Sequence, residues 1–355
     1  MAFDNSLLRC ALLGCLLSVA APLAYSDVTV EESIAVSGAG LMKFANMTGR
    51  TISTISGRRA RTDSDLTFES ALVRTFARGV GQTTEIVLLD DDKIYSLNNK
   101  KKTYTESSFT ELRAKLQESM QKTQEAQASQ QQTAAGVDES KCEWSEPKAE
   151  VKRTGEKAAI AGFQAERVTI NATQACKVKD SDEVCEFGLS LDQWMAPSYE
   201  ASAESLAYYR AYAEKLGLAT AGSKDFAERA QSLFGRYKDL WAQLNDKMRD
   251  VKGNPVKTGF ALGVGGPQCS SAREAQASGG SGSAPSIGGA LGGALGGLFN
   301  KKKEQAPPPA TTPPPAMPNG LTPLLSLSTE LISVNRDAVS TQAFIVPSDY
   351  KKTKD

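Results

Sequence analysis

Four cysteines, Cys142, Cys176, Cys185 and Cys269, are the residues whose type and spacing best suit chemistry. They contain no C-x-x-C pair, so a thiolate metal site has no ligand spacing to build on. An even number downstream of an export signal favours disulfides, and three connectivities are open. Cys176 and Cys185 flank the polar stretch Lys177 to Val184 between two strand-like segments. That spacing favours a Cys176–Cys185 staple across a hairpin, contributing on the order of 2–3 kcal/mol in the chain-entropy model. Cys142–Cys269 then follows by elimination.

The chain of 355 residues contains no histidine. That removes Ser-His-Asp and Cys-His nucleophile systems, imidazole zinc sites and the usual general base near neutral pH. No paired-carboxylate motif stands out. The sequence therefore names no catalytic residue, no metal ligand and no cofactor, and the expectation is a protein that is not an enzyme. Lys plus Arg and Asp plus Glu are equal at 41 each, so bulk charge points to no nucleic acid.

The elements that would position such residues begin after an N-terminal segment. Residues 1–26 read as a secretory signal: Arg9, the apolar run from Leu7 to Ala21, then Ala24-Tyr25-Ser26 before Asp27. Leu12-Leu13-Gly14-Cys15 resembles a lipobox, but too little apolar length precedes Cys15. The expected location is periplasmic or secreted, with a lipid-anchored form as the lesser alternative. From 27 to about 105, short apolar runs divided by Gly57, Asp90-Asp91-Asp92 and Asn98-Asn99-Lys100 predict an antiparallel meander. Ser108-Phe109-Thr110-Glu111 is a capping box that opens a helix with Phe109, Leu112, Leu116 and Met120 on one stripe.

Strands return over 142–194, where Cys185, Phe187, Leu189 and Leu191 alternate with polar or small residues. A helical hairpin is predicted over 198–250, with Leu206, Tyr209, Ala213 and Leu216 on one apolar face. Its second stripe runs from Phe226 to Met248. Val256 to Val264, Leu325 to Val334 and Thr341 to Val346 read as further strands. The 121–140 segment is polar and Gln/Ala-rich, and 270–320 is a Gly/Ser/Pro-rich insertion that cannot bury enough apolar surface to fold alone. The domain thus comprises 27–269 and 321–355.

Three segments carry a resemblance. Asp90-x-x-Lys93-x-Tyr95-x-Leu97 follows the run Thr84 to Leu89. Ile160-Ala161-Gly162-Phe163 continues as a strand. The chain ends Phe344-Ile345-Val346-Pro347-Ser348-Asp349-Tyr350-Lys351. Together they resemble an uncharacterised bacterial envelope family related to the LolA/LolB/LppX lipoprotein-carrier fold. The resemblance covers roughly 30–110, 145–265 and 324–352, and its motifs are structural. It implies an α+β fold, a curved antiparallel half-barrel with helices on the concave face, and a cavity for acyl chains. Ile86, Leu88, Phe163, Phe187, Leu189, Trp194 and Phe344 are then the candidate lining residues. The implied function is a periplasmic carrier for a lipid or other hydrophobic ligand, with peripheral membrane or envelope-protein contact. The alternative is an envelope structural or interaction protein with the same fold and a filled core.

Overall fold

The structure, a computed structural model, describes residues 27–39, 46–70, 81–115, 117–118, 141–197, 202–217, 238–266, 269 and 317–354. Residues 1–26, expected as a signal segment, the 121–140 stretch, Leu116, Met120, Phe226 and residues 270–316 lie outside the described residues.

Among the described residues, thirteen strands form one curved, open sheet. They are Val28–Gly38 (β1), Met47–Ser56 (β2), Arg59–Phe68 (β3), Gln82–Leu88 (β4), Lys93–Asn98 (β5) and Thr103–Ser107 (β6). Cys142–Trp144 (β7), Lys148–Ile160 (β8), Phe163–Val178 (β9), Val184–Ala196 (β10), Asn254–Gly265 (β11), Thr322–Asn335 (β12) and Lys351–Lys352 (β13) complete it. The order is β13-β6-β5-β4-β3-β2-β1-β12-β11-β10-β9-β7, with β8 also pairing β9. All pairings are antiparallel except β13 on β6. The three described helices are 109–115 (α1), Ser202–Lys215 (α2) and Lys238–Met248 (α3).

Local chemistry accounts for the turns. Ser56 pairs with Arg59, leaving a two-residue hairpin loop in which Gly57 takes φ 58°, a conformation open to glycine at no steric cost. Ile160 pairs with Phe163, so Ala161 (φ 49°) and Gly162 (φ 86°) form the loop between β8 and β9. Positive φ at both central residues is the type I′ pattern, which matches the twist of the flanking strands. The Ile-Ala-Gly-Phe motif, expected as a strand, is therefore a hairpin turn. The capping box forms as the sequence predicts: Ser108 N–H donates to Glu111 Oε2 at 2.8 Å, and Glu111 N–H donates to Ser108 Oγ at 3.1 Å.

Strand alternation divides the side chains between two faces. Val28, Ile55, Ala60, Val87 and Ile94 occupy one register row across β1 to β5, and all five are buried. Phe109 of α1, Tyr208 of α2 and Leu216 just after α2 join their cluster. Leu240 and Leu244 of α3 pack on Ile170 and Leu191. On the other face, Ile86 and Leu97 meet Phe344. There the C-terminal segment is clamped: the Arg59 guanidinium lies 4.9 Å from the Phe344 ring centroid, Arg61 donates to the Ala343 carbonyl at 3.1 Å, and Tyr350 Oη donates to Asn99 at 3.0 Å. Thr341–Phe344 is a 3₁₀ turn rather than the expected strand, because the Ser340 side chain accepts from Gln342 N–H and caps it.

The four cysteines pair as Cys142–Cys176 and Cys185–Cys269, not across the hairpin. Cys176 and Cys185 are direct register partners on β9 and β10, and both are fully buried beside Phe187. Each bonds outward instead, Cys176 to Cys142 on β7 and Cys185 to Cys269, four residues beyond the end of β11. The bonds close stretches separated by 34 and 84 residues, which the chain-entropy model values at about 3.8 and 4.6 kcal/mol. The hairpin, already closed by a short loop, would have gained about 2.7 kcal/mol.

Candidate functional site

The helix-bearing face of the sheet holds two zones. The first is an apolar register row: Val151, Ile170, Leu191, Phe260, Leu327, Val36, Met47 and Phe68, on β8, β9, β10, β11, β12, β1, β2 and β3 in turn. Under α3 it is sealed, with Ile170 at 0% and Leu191 at 8% exposed. From Phe260 to Phe68 it is only half-buried. A neighbouring row, Leu189, Leu262 and Leu325, follows the same course from buried to half-buried.

The second zone is polar. The row through Val30 continues as Ser53, Thr62, Glu85 and Ser96 across β2 to β5, and Ser53 and Thr62 hydroxyls are 3.2 Å apart. Glu32 lies two residues along β1 from Val30, on the same face. Tyr208, Tyr209 and Tyr212 of α2 face this zone. Tyr208 stacks edge-on to Tyr209 at 5.4 Å and tilted to Tyr212 at 6.2 Å, and Tyr212 meets Phe109 at 5.5 Å. The predicted apolar stripe of α2 holds only at its C-terminal end: Leu216 is buried, but Leu206 is 61% and Tyr209 52% exposed, and Tyr208 is buried in place of Tyr209. Tyrosine suits either environment, so hydrophobic periodicity alone could not choose between faces one residue apart.

Burial raises the carboxyls of Glu32 and Glu85 above the ordinary glutamate range. Yet Glu85 keeps an exposed surface and Glu32 a half-exposed one. A side chain can touch water and still be poorly solvated when protein walls surround it on several sides. Burial pushes the Tyr212 phenol up to about 12, with the Glu85 charge adding to it. Tyr208 rises further, from burial first and then Tyr212, Tyr209 and Glu85. Tyr209 is raised by burial and Glu32, against a hydrogen bond with Ser53 that lowers it.

α2 is tied at both ends. Glu204 pairs with Arg336 just beyond β12, and Lys215 Nζ lies 3.9 Å from Asp92 in the β4–β5 turn. A helix of 14 residues rises about 21 Å, and the four strand spacings from β12 to β4 total about 19 Å. The helix length thus matches a path across those strands.

The candidate lining residues read from the sequence do not meet in one place. Ile86, Leu88 and Phe344 lie together beneath the C-terminal segment, on the face away from the helices. Phe187 packs with the disulfides and Trp144, and Leu189 packs under α3. Phe163 and Trp194 join the edge of the α1–α2 cluster. Sequence reasoning missed Glu32, Glu85 and Tyr208. Their signal was faint: an acid at an inward position of an otherwise β-forming run, visible only once register fixes which positions point inward.

Cys185, Cys269 and Glu183 lie close enough to suggest a metal site, but both sulfurs are spent on a disulfide. Among the described residues no helix is long and apolar enough to cross a membrane. Comparison with known proteins finds no matching family model and no curated relative.

Proposed function

We propose that this is an exported binding or carrier protein for an acyl-chain-bearing ligand, built as a half-barrel of the LolA/LolB/LppX kind with α2 as a strap over its concave face. The observation that carries this reading is the apolar row that begins sealed under α3 and continues half-exposed from Phe260 to Phe68. Apolar surface left half in water is costly, and each methylene of a ligand laid on it contributes about 0.8 kcal/mol. Binding of that type needs no catalytic group, in keeping with a chain without histidine. Export fits two disulfides, which persist in oxidising compartments.

The experiment is native mass spectrometry of residues 27–355 purified from a periplasm without detergent, followed by solvent extraction. Acyl species near one per chain are expected. A bare protein that also fails to take up a fluorescent fatty-acid probe overturns the carrier. The filled cluster beneath α3 favours the second reading, an envelope scaffold, and that result would select it.

A further inference from the structure

A hollow of about 420 Å³ lies where β8, β9 and the end of β10 meet the loop that leads from α3 into β11. Its floor is apolar and buried: Ala165, Val168 and Met195 are 3%, 1% and 8% exposed. Its rim carries Arg153, Lys157 and Lys252. A bulge in β8 brings the first two together. Arg153 pairs with Val168 and Lys157 with Glu166, so four steps along β8 match two along β9. Gly155 turns the excess chain at φ 76°. Thr154 holds it, donating from Oγ1 to the Arg167 carbonyl at 3.2 Å and accepting from Glu156 N–H at 3.1 Å. Paired residues share a face, and two residues of β9 span about 7 Å, so both cationic stems rise beside the same floor. The loop closes in from another side. Arg153 Nη2 donates to the Asp250 carbonyl at 3.3 Å. Gly253, at φ 104°, sits so close to the end of β10 that a Cβ would come 2.5 Å from the Ala196 carbonyl oxygen. None of the three cations has an ion-pair partner among the described residues. Glu166 is the one acid on the lining.

We propose that this hollow is a binding site for a small organic anion, a phosphate group carried on a short apolar body. Three cations against one carboxylate leave about two positive charges, which a phosphate monoester matches near neutral pH. The planar fork of Arg153 suits phosphate oxygens, and the lysines add point charges from the rim. The buried floor of Ala165, Val168 and Met195 gives the apolar body a surface that a free ion has no use for. The volume falls in the range of small-molecule sites, which pair an apolar lining with a few placed polar groups. A neighbouring hollow of about 380 Å³ shares Arg153 but lacks this balance, since Glu150 and Asp250 line it with Lys247. The site uses none of the half-buried row from Phe260 to Phe68, so the inference goes beyond the carrier reading and does not depend on it.

The test is calorimetric titration of residues 27–355 with phenyl phosphate, inorganic phosphate and benzylammonium. Phenyl phosphate is expected to bind at one per chain, at least about tenfold more tightly than inorganic phosphate, with benzylammonium showing no saturable binding. Arg153→Gln/Lys157→Gln is expected to weaken phenyl phosphate at least about tenfold. Lys177→Gln/Lys179→Gln removes two exposed cations from the β9–β10 turn, away from the hollow, and is expected to leave the affinity unchanged. No binding of phenyl phosphate overturns the proposal. So does equal weakening by the two double variants, which would assign binding to overall charge. Equal affinity for inorganic phosphate would remove the apolar body and overturn the organic ligand, and equal affinity for benzylammonium would overturn the anion. All four substituted residues are exposed, so both variants are expected to fold. If Arg153→Gln/Lys157→Gln does not, Lys252→Gln on the loop is expected to weaken phenyl phosphate by itself, and an unchanged affinity there overturns the site.

Discussion

The same register row behaves differently at its two ends. At Ile170 and Leu191 it is closed by Leu240 and Leu244 of α3, with the two disulfides beside it at the end of β9 and β10. At Val36, Met47 and Phe68 the residues are as apolar, but they are only half-buried. Sequence character is nearly constant along the row, so the difference is one of cover. One end spends its apolar surface on folding; the other keeps it for something else.

The largest expected effect separates the ends through the disulfides. The two closed loops do not overlap in sequence, so removing both bonds is expected to cost about 8 kcal/mol in the chain-entropy model, seen as a collapse of the denaturation midpoint in reductant. Cys142→Ser/Cys176→Ser should cost less than Cys185→Ser/Cys269→Ser. The reverse order would mean that strain or residual structure outweighs loop length.

Next, Leu244→Ala is expected to destabilise by about 2–5 kcal/mol, because it empties a site at 1% exposure. Met47→Ala at the open end should cost under about 1.5 kcal/mol, since its side chain already meets water. Ligand uptake should show the opposite ranking, with Met47→Asp abolishing capture of a fatty-acid probe at little cost in Tm. Equal stability costs at Leu244 and Met47 would erase the contrast between the ends.

A smaller effect concerns pH. Glu32 and Glu85 have folded-state values above the unfolded one, so the folded protein holds their protons more firmly. Their destabilising contribution is therefore absent below the unfolded glutamate range near pH 4.5, grows as pH rises, and is complete above their folded values. Glu32→Gln/Glu85→Gln should raise Tm slightly at pH 7 and leave it unchanged at pH 4. A thermal scan across that range checks it; a gain that persists at pH 4 would show that charge is not the cause.

The smallest change is Ala161→Gly, which relieves a positive φ in the hairpin loop. It should stabilise by up to about 1 kcal/mol in urea titrations, with no effect on ligand uptake.

Much of the sheet was legible in advance. The meander from Val28 to Thr105, the alternation from Cys185 to Leu191 and the return at Leu325 follow from period-two patterns and turn residues, which act locally. The Ser108–Glu111 cap was legible for the same reason. The Ile160–Phe163 turn was misread because its alanine is an unusual occupant of positive φ. Thr341–Phe344 was misread because a β-forming composition does not register a cap by Ser340.

By itself the sequence determined that four cysteines beyond residue 26 were open to disulfide pairing, that the chain has no imidazole, and that its framework is antiparallel β. Only the tertiary structure decided which cysteines bond: Cys176 and Cys185 are neighbours in register, and yet one bonds to Cys142 on β7 and the other to Cys269 beyond β11. It also decided that Tyr208 rather than Tyr209 is buried, and that Glu32 and Glu85 share a face. Those outcomes depend on register between strands distant in sequence and on which helix covers which rows, and no local pattern encodes either.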